Sequence, residues 1–120
     1  MTSNIKRATV GLFCAAVFSV PAMATFVTGE VFVGGGSGRV FVYSQTGTLV
    51  QTLSSGFSSE TTGMAFDGAG NLYSTNFQAQ TVVKYDINGT KLGTFGSGFN
   101  ADPESILFAQ FACCEGYRRV

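Results

Sequence analysis

The chain has 120 residues, seven basic and seven acidic side chains, and no histidine. Without a basic stripe, nucleic acids and anionic membranes find no electrostatic footing. The missing histidine removes Ser-His-Asp triads, histidine bases and histidine metal ligands together.

Residues 1–24 read as an export signal. Lys6 and Arg7 make a positive start, 10–20 form an apolar core, and Pro21 precedes the small-x-small site Ala22-Met23-Ala24. The alternative is a buried helix or an anchor, but the run is shorter than the roughly 20 residues that span a bilayer. Cleavage after Ala24 is expected, with a secreted or periplasmic product that makes no membrane contact. Cys14 leaves with the signal. What remains is 96 residues with five basic and seven acidic side chains, a net charge of −2. Abundant glycine, frequent Phe, Thr and Ser, and no helical apolar stripe point to an all-β chain.

Short apolar runs then alternate with turn clusters. Strands are expected at about 30–33, 39–43 and 48–53. Four more follow in the stretch 63–95, at 64–66, 72–73, 82–85 and 92–95, with turns at 67–71, 76–80 and Asn88-Gly89. A last strand is expected at 104–108. Gly34-Gly35-Gly36-Ser37-Gly38 reads as a flexible hairpin, because the following Arg39-Val40 opens a strand, where a phosphate loop needs a helix.

The chain repeats itself with a period of 42. Tyr43 matches Tyr85, Gly47 matches Gly89, Thr52 matches Thr94, Ser55-Gly56-Phe57 matches Ser97-Gly98-Phe99, and Phe66 matches Phe108. Upstream, Gly29-Glu30-Val31-Phe32 matches Gly70-Asn71-Leu72-Tyr73 at a difference of 41, the one-residue change falling in the Gly34–Gly38 loop. A period in the forties with four short strands per unit predicts β-propeller blades: four-stranded, antiparallel, about two of them, in an incomplete ring. A sandwich of consecutive hairpins is the competing architecture, and it requires no in-register repeat. The organisation expected is signal peptide 1–24, partial propeller 25–108 and non-repeat tail 109–120.

Gly63-Met64-Ala65-Phe66-Asp67-Gly68-Ala69-Gly70-Asn71-Leu72-Tyr73 resembles the core pattern of NHL-type repeats and of the related SMP-30/gluconolactonase-like propellers. The run 82–85, Asp86, Asn88-Gly89 and Pro103 fit the same pattern. The resemblance covers about 29–108 and implies blades of a closed ring, usually of six. In the enzymes of that superfamily, carboxylates and Asn at the channel end of the full ring bind a metal. After Phe108 the repeat predicts Asp-x-x-Gly-Asn-apolar-Tyr. The chain instead gives Ala109-Gln110-Phe111-Ala112-Cys113-Cys114, which reads as a truncated or frame-shifted end or as a C-terminal extension. The adjacent Cys113 and Cys114 provide no disulfide framework.

Candidate chemistry is thin. Asp67, in Asp-Gly-Ala-Gly-Asn, invites a calcium reading, but Asp and Asn in a Gly-rich hairpin usually bond their own backbone. Glu60, Asp102 and Glu104 fall between the blades and read as solvated loop charges. Asn88-Gly89-Thr90 matches an N-glycosylation sequon, though Asn-Gly is also a two-residue hairpin turn with both residues at positive φ. The aromatics Phe41, Tyr43, Phe57, Phe66, Tyr85 and Phe99 read as blade-to-blade core. No catalytic residue, cofactor or metal is therefore expected, with Glu60, Asp67 and Glu104 the weak metal candidates. Three functional readings stay open. One is a secreted, non-catalytic propeller fragment serving as a binding or assembly scaffold, self-associating to complete a ring. The others are the N-terminal piece of a lactonase-like, calcium-dependent hydrolase and a degenerate, truncated gene product.

Overall fold

The computed structural model describes residues 24–96, 99 and 101–109, in which seven strands form two antiparallel sheets. The first is a three-stranded meander of β1 (Val31–Gly35), β2 (Arg39–Tyr43) and β3 (Leu49–Ser54). The second adds a strand, running β4 (Thr61–Phe66), β5 (Leu72–Asn76), β6 (Thr81–Tyr85) and β7 (Lys91–Phe95). The described residues contain no helix, so the all-β class holds, and the two sheets do not close on each other. Residues 1–23 of the expected signal and 110–120 of the tail, with Cys14, Cys113 and Cys114, lie outside the described residues.

The repeat in sequence is also a repeat in hydrogen bonding. β2 and β6 start 42 residues apart, and β1 and β5 start 41 apart. Each sheet carries a register shift at the same place, Val42/Tyr43 in one and Lys84/Tyr85 in the other. The turn after each shift is also the same: Ser44 N donates to Thr48 O and Gly47 N to Ser44 O, as Asp86 N does to Thr90 O and Gly89 N to Asp86 O. Gly47 and Gly89 both sit at φ 80. These are three-residue hairpins in which glycine alone takes the left-handed position. The expected two-residue turn, with Asn88 also at positive φ, is not what forms. Asn88 stays at negative φ because Asp86 Oδ1 accepts the amides of Asn88 and Thr90, at 2.9 and 2.8 Å, and holds the wider loop.

Pleating decides what is buried. Alternation along Arg39-Val40-Phe41-Val42-Tyr43 turns Val40 and Val42 toward the second sheet, where both are fully buried. They pack with Leu53 against Leu72, Val83 and Tyr85, with Phe26, Phe32, Phe57 and Met64 at the margin. The sheets approach closely at Gly34, where a side chain would collide with the Thr61 carbonyl. Gly34 and Gly35 therefore belong to β1, and only 36–38 form the hairpin turn. The aromatic core foreseen from sequence holds in part: Tyr85 belongs to it, Phe57 packs at its margin and Phe66 meets Phe32 across the sheets, while Phe41 and Tyr43 do not take part. Only Tyr85 is fully buried, whereas Phe66 is exposed and Phe41, Tyr43, Phe57 and Phe99 are partly buried. Phe41 and Tyr43 lie on the opposite face of β2 from Val40 and Val42, and no sheet covers that face among the described residues.

All five residues of β5 are buried because the strand is covered on both sides. The first sheet covers one face and residues 101–109 lie over the other. Thr62 Oγ1 donates to Pro103 O at 2.8 Å, Gly63 lies against the backbone of Glu104 and Ser105, and Phe108 meets Tyr73 edge-to-face at 4.8 Å. The expected strand at 104–108 is not formed here. A strand needs a neighbouring edge to ladder with, and this segment has none among the described residues.

Candidate functional site

Two regions concentrate polar chemistry: the β4–β5 turn and the polar end of the seam between the sheets. In the turn, Asp67 N donates to Asn71 O and Gly70, at φ 83, closes the loop on Asp67 O. The carboxylate is committed to this turn. Asp67 Oδ1 accepts the amides of Ala69 and Asn71, both at 2.9 Å, while Oδ2 accepts Asn71 Nδ2 at 2.8 Å and the Tyr73 hydroxyl at 3.3 Å. Lys84 Nζ lies 3.8 Å from the same oxygen and 5.0 Å from the centre of the Tyr73 ring. Tyr73 and Lys84 are cross-strand partners on β5 and β6, which is how the group assembles. The turn is a self-satisfied Asx loop with a cation beside it.

These contacts bias protonation. The Asn71 side chain, followed by the local backbone amides and Tyr73, holds the Asp67 carboxyl below its ordinary value of 3.8. Lys84 is raised above 10.5 by the Tyr73 side chain first, with the Asp67 charge contributing. Tyr85 is raised above 10.0 by burial, which a weak contact with Ser74 partly offsets, no hydrogen bond of ordinary geometry joining the two. Folding thus favours charged Asp67, a contribution complete above about pH 4 and lost as pH falls through the lowered value. It favours protonated Lys84 and Tyr85, contributions present below about pH 10 and lost as pH rises through the raised values. The melting temperature is therefore expected to be level between roughly pH 5 and 9 and to fall at both ends. Asp67→Asn should flatten the acid arm. An acid arm identical in the variant and the parent would show that Asp67 is not its source.

The other sequence candidates do not converge. Glu60 is exposed, and its main chain makes the contacts: Glu60 N donates to Gln78 Oε1 at 2.8 Å and Glu60 O accepts Phe77 N at 2.9 Å. Glu104 is exposed on the covering segment, and Asp102 accepts Gln80 Nε2 at 3.4 Å. Among the described residues, no three His, Cys, Asp or Glu side chains come together as a metal site would require. Asn88 is part of the scaffold as well as a sequon position. Its Oδ1 accepts the Thr25 hydroxyl at 2.8 Å, and its carbonyl accepts Gln51 Nε2 at 2.9 Å.

The seam itself was not foreseen. Thr61, Asn76 and Thr81 lie in one row across three strands, and Ser74 and Tyr85 continue the same face toward the core. A side-chain oxygen of each is buried without a hydrogen-bond partner among the described residues. Ser74 and Asn76 look like turn residues in sequence, and only the register of β5 places them on this face. At the opposite end, Phe26, Phe32, Phe66 and Ile87 line a cleft of about 320 Å³ with Gly70 and Glu30. Glu30 spends an oxygen on the amide of Val27, at 2.9 Å. Neither region pairs a nucleophile with a base, and both read as places where sheets meet. No protein-family model matches the chain, and no curated protein matches it.

Proposed function

We propose that this chain is an exported, NHL-like module of propeller-type blades that works as a non-catalytic binding or assembly scaffold. One observation carries the reading. Phe32 of the first sheet meets Phe66 edge-to-face at 5.0 Å, and their repeat equivalents Tyr73 and Phe108 meet edge-to-face at 4.8 Å. A face of each sheet is thus built to receive the next repeat, which is how stacked repeats bury a continuous core. Export rests on residues 1–24; just after them, Thr25 and Phe26 are tied to the fold through Asn88 and the Ile87 carbonyl.

Calcium discriminates this reading from the lactonase-like hydrolase. An ion held by Asp67, Glu60 or Glu104 at a hundredfold excess over its dissociation constant would stabilise the fold by about 2.7 kcal/mol. For a domain this small, that is a rise in melting temperature on the order of 10 °C. The secreted chain, whose intact mass should begin at Thr25, is expected to show no such rise. Asp67→Ala is expected to melt somewhat earlier and to leave the response to calcium unchanged. A calcium-dependent rise that disappears in Asp67→Ala or Glu60→Ala would overturn the scaffold reading in favour of the enzyme. A chain without cooperative unfolding would favour the degenerate product.

A further inference from the structure

Positions that match in the repeat differ sharply in burial between the two sheets. Leu72, Ser74, Val83 and Tyr85 form the face of the second sheet that packs on the first, and all are buried. Their counterparts on the first sheet are Val31, Val33, Phe41 and Tyr43. Val31 is 53% and Val33 43% exposed, and Phe41 and Tyr43 are only partly buried. The first sheet therefore carries a face of the kind that receives a preceding sheet.

Among the described residues the first sheet is also one strand short of the second. β4 pairs with β5 in the second sheet, but β1, the counterpart of β5, is an outer edge whose only partner among the described residues is β2. The counterpart of β4 is the segment 103–108, which rests on the second sheet as β4 rests on the first. Thr61 O lies against Gly34 while Pro103 O is held at Thr62, and Phe66 meets Phe32 while Phe108 meets Tyr73. Among the described residues this segment has no ladder partner, and its Leu107 is 89% exposed.

Resting on the blade reading above, we infer that residues 103–108 of one copy supply the missing strand of the first sheet of a second copy, so that this chain assembles head to tail. The occupant is a second copy because the two halves of one strand pair, and the two matching faces, lie at opposite ends of the same chain. The contact continues the packing of the first sheet on the second, with sequence offsets that fix the register. Met64↔Ser74, Ala65↔Tyr73 and Phe66↔Leu72 become Ile106↔Val33, Leu107↔Phe32 and Phe108↔Val31 between copies. An added strand satisfies the open β1 edge. The interface is heterologous and generates a ring if the rotation closes. With the two described sheets from each copy, three copies make six.

The test uses secreted chains in which Cys113 and Cys114 are replaced by Ser, one carrying Val33→Cys and the other Ile106→Cys. When they are mixed and oxidised, a 33–106 disulfide between chains is expected to dominate, identified by peptide mass. Gly36→Cys mixed with Ile106→Cys, out of register, is expected to give little. Sedimentation of the unsubstituted chain should show a discrete oligomer. Leu107→Glu changes a side chain with almost no contacts of its own, and it should weaken association by at least about tenfold while leaving thermal unfolding of the dilute protein unchanged. A monomer that unfolds cooperatively and forms no 33–106 disulfide would overturn the assembly and leave the blade reading standing. Absence of cooperative unfolding in the unsubstituted chain would overturn both.

Discussion

Leu72→Ala is expected to destabilise the chain by about 2–5 kcal/mol, the usual cost of truncating a fully buried leucine. Val31→Ala, at the matching position of the first sheet, is expected to change stability by no more than about 0.5 kcal/mol. The two side chains open equivalent strands, in equivalent register against Tyr85 and Tyr43. They differ in what covers them. Leu72 is 0% exposed between the sheets and Val31 is 53% exposed. A cavity at Leu72 would be walled by Val40, Val42 and Val83, residues that alternation holds in place and that relax little. Denaturant unfolding of dilute protein reads both values. At concentrations where copies associate, Val31→Ala should also weaken the assembly. Equal costs at the two positions in dilute protein would contradict the burial assigned to either face.

Gly38→Ala should be nearly as damaging, at roughly 2–4 kcal/mol, through two additive causes. Gly38 sits at φ 62, where a Cβ is strained, and that Cβ would collide with Ser55 Oγ and the Phe57 carbonyl. The backbone has no room to retreat, since Gly38 N donates to Ser59 O and Gly38 O accepts Ser55 N at 2.8 Å. This glycine joins the β1–β2 turn to the loop that leads into β4. Two residues earlier, Gly36 has open space around its α-carbon. Gly36→Ala is expected to be neutral within about 0.5 kcal/mol, or slightly stabilising, because it mainly restricts the unfolded chain. Thermal melts of the pair decide the matter, and a Gly38→Ala chain as stable as Gly36→Ala would refute the close packing at the turn.

The strands were legible because two signals agree. Alternation marks Arg39-Val40-Phe41-Val42-Tyr43 as a strand, and the same pattern returns 42 residues later. What sequence did not reveal is which face each strand turns to its neighbour. Phe41 looks more like core than Val40, yet pleating puts the valine inside. Polar residues deceived in the other direction. Asn76 looks like the start of a turn, and it is fully buried in β5 beside Thr61 and Thr81. The committed role of Asp67 was half readable. Its backbone bonds follow from the Asp-Gly-Ala-Gly-Asn turn, whereas the Tyr73 and Lys84 contacts depend on the β5–β6 register. The segment 104–108 misled because a strand-like sequence becomes a strand only beside an available edge.

The claim that successive repeats pack alike is tested most directly by two double-mutant cycles on dilute protein. One pairs Phe32→Leu with Phe66→Leu, and the other pairs Tyr73→Leu with Phe108→Leu. Both pairs meet edge-to-face, at 5.0 and 4.8 Å. Each cycle is expected to show a favourable coupling of about 0.5–1.5 kcal/mol. A clear coupling in the first pair with none in the second would contradict the account, because residues 103–108 would then not be seated on the second sheet as β4 is seated on the first.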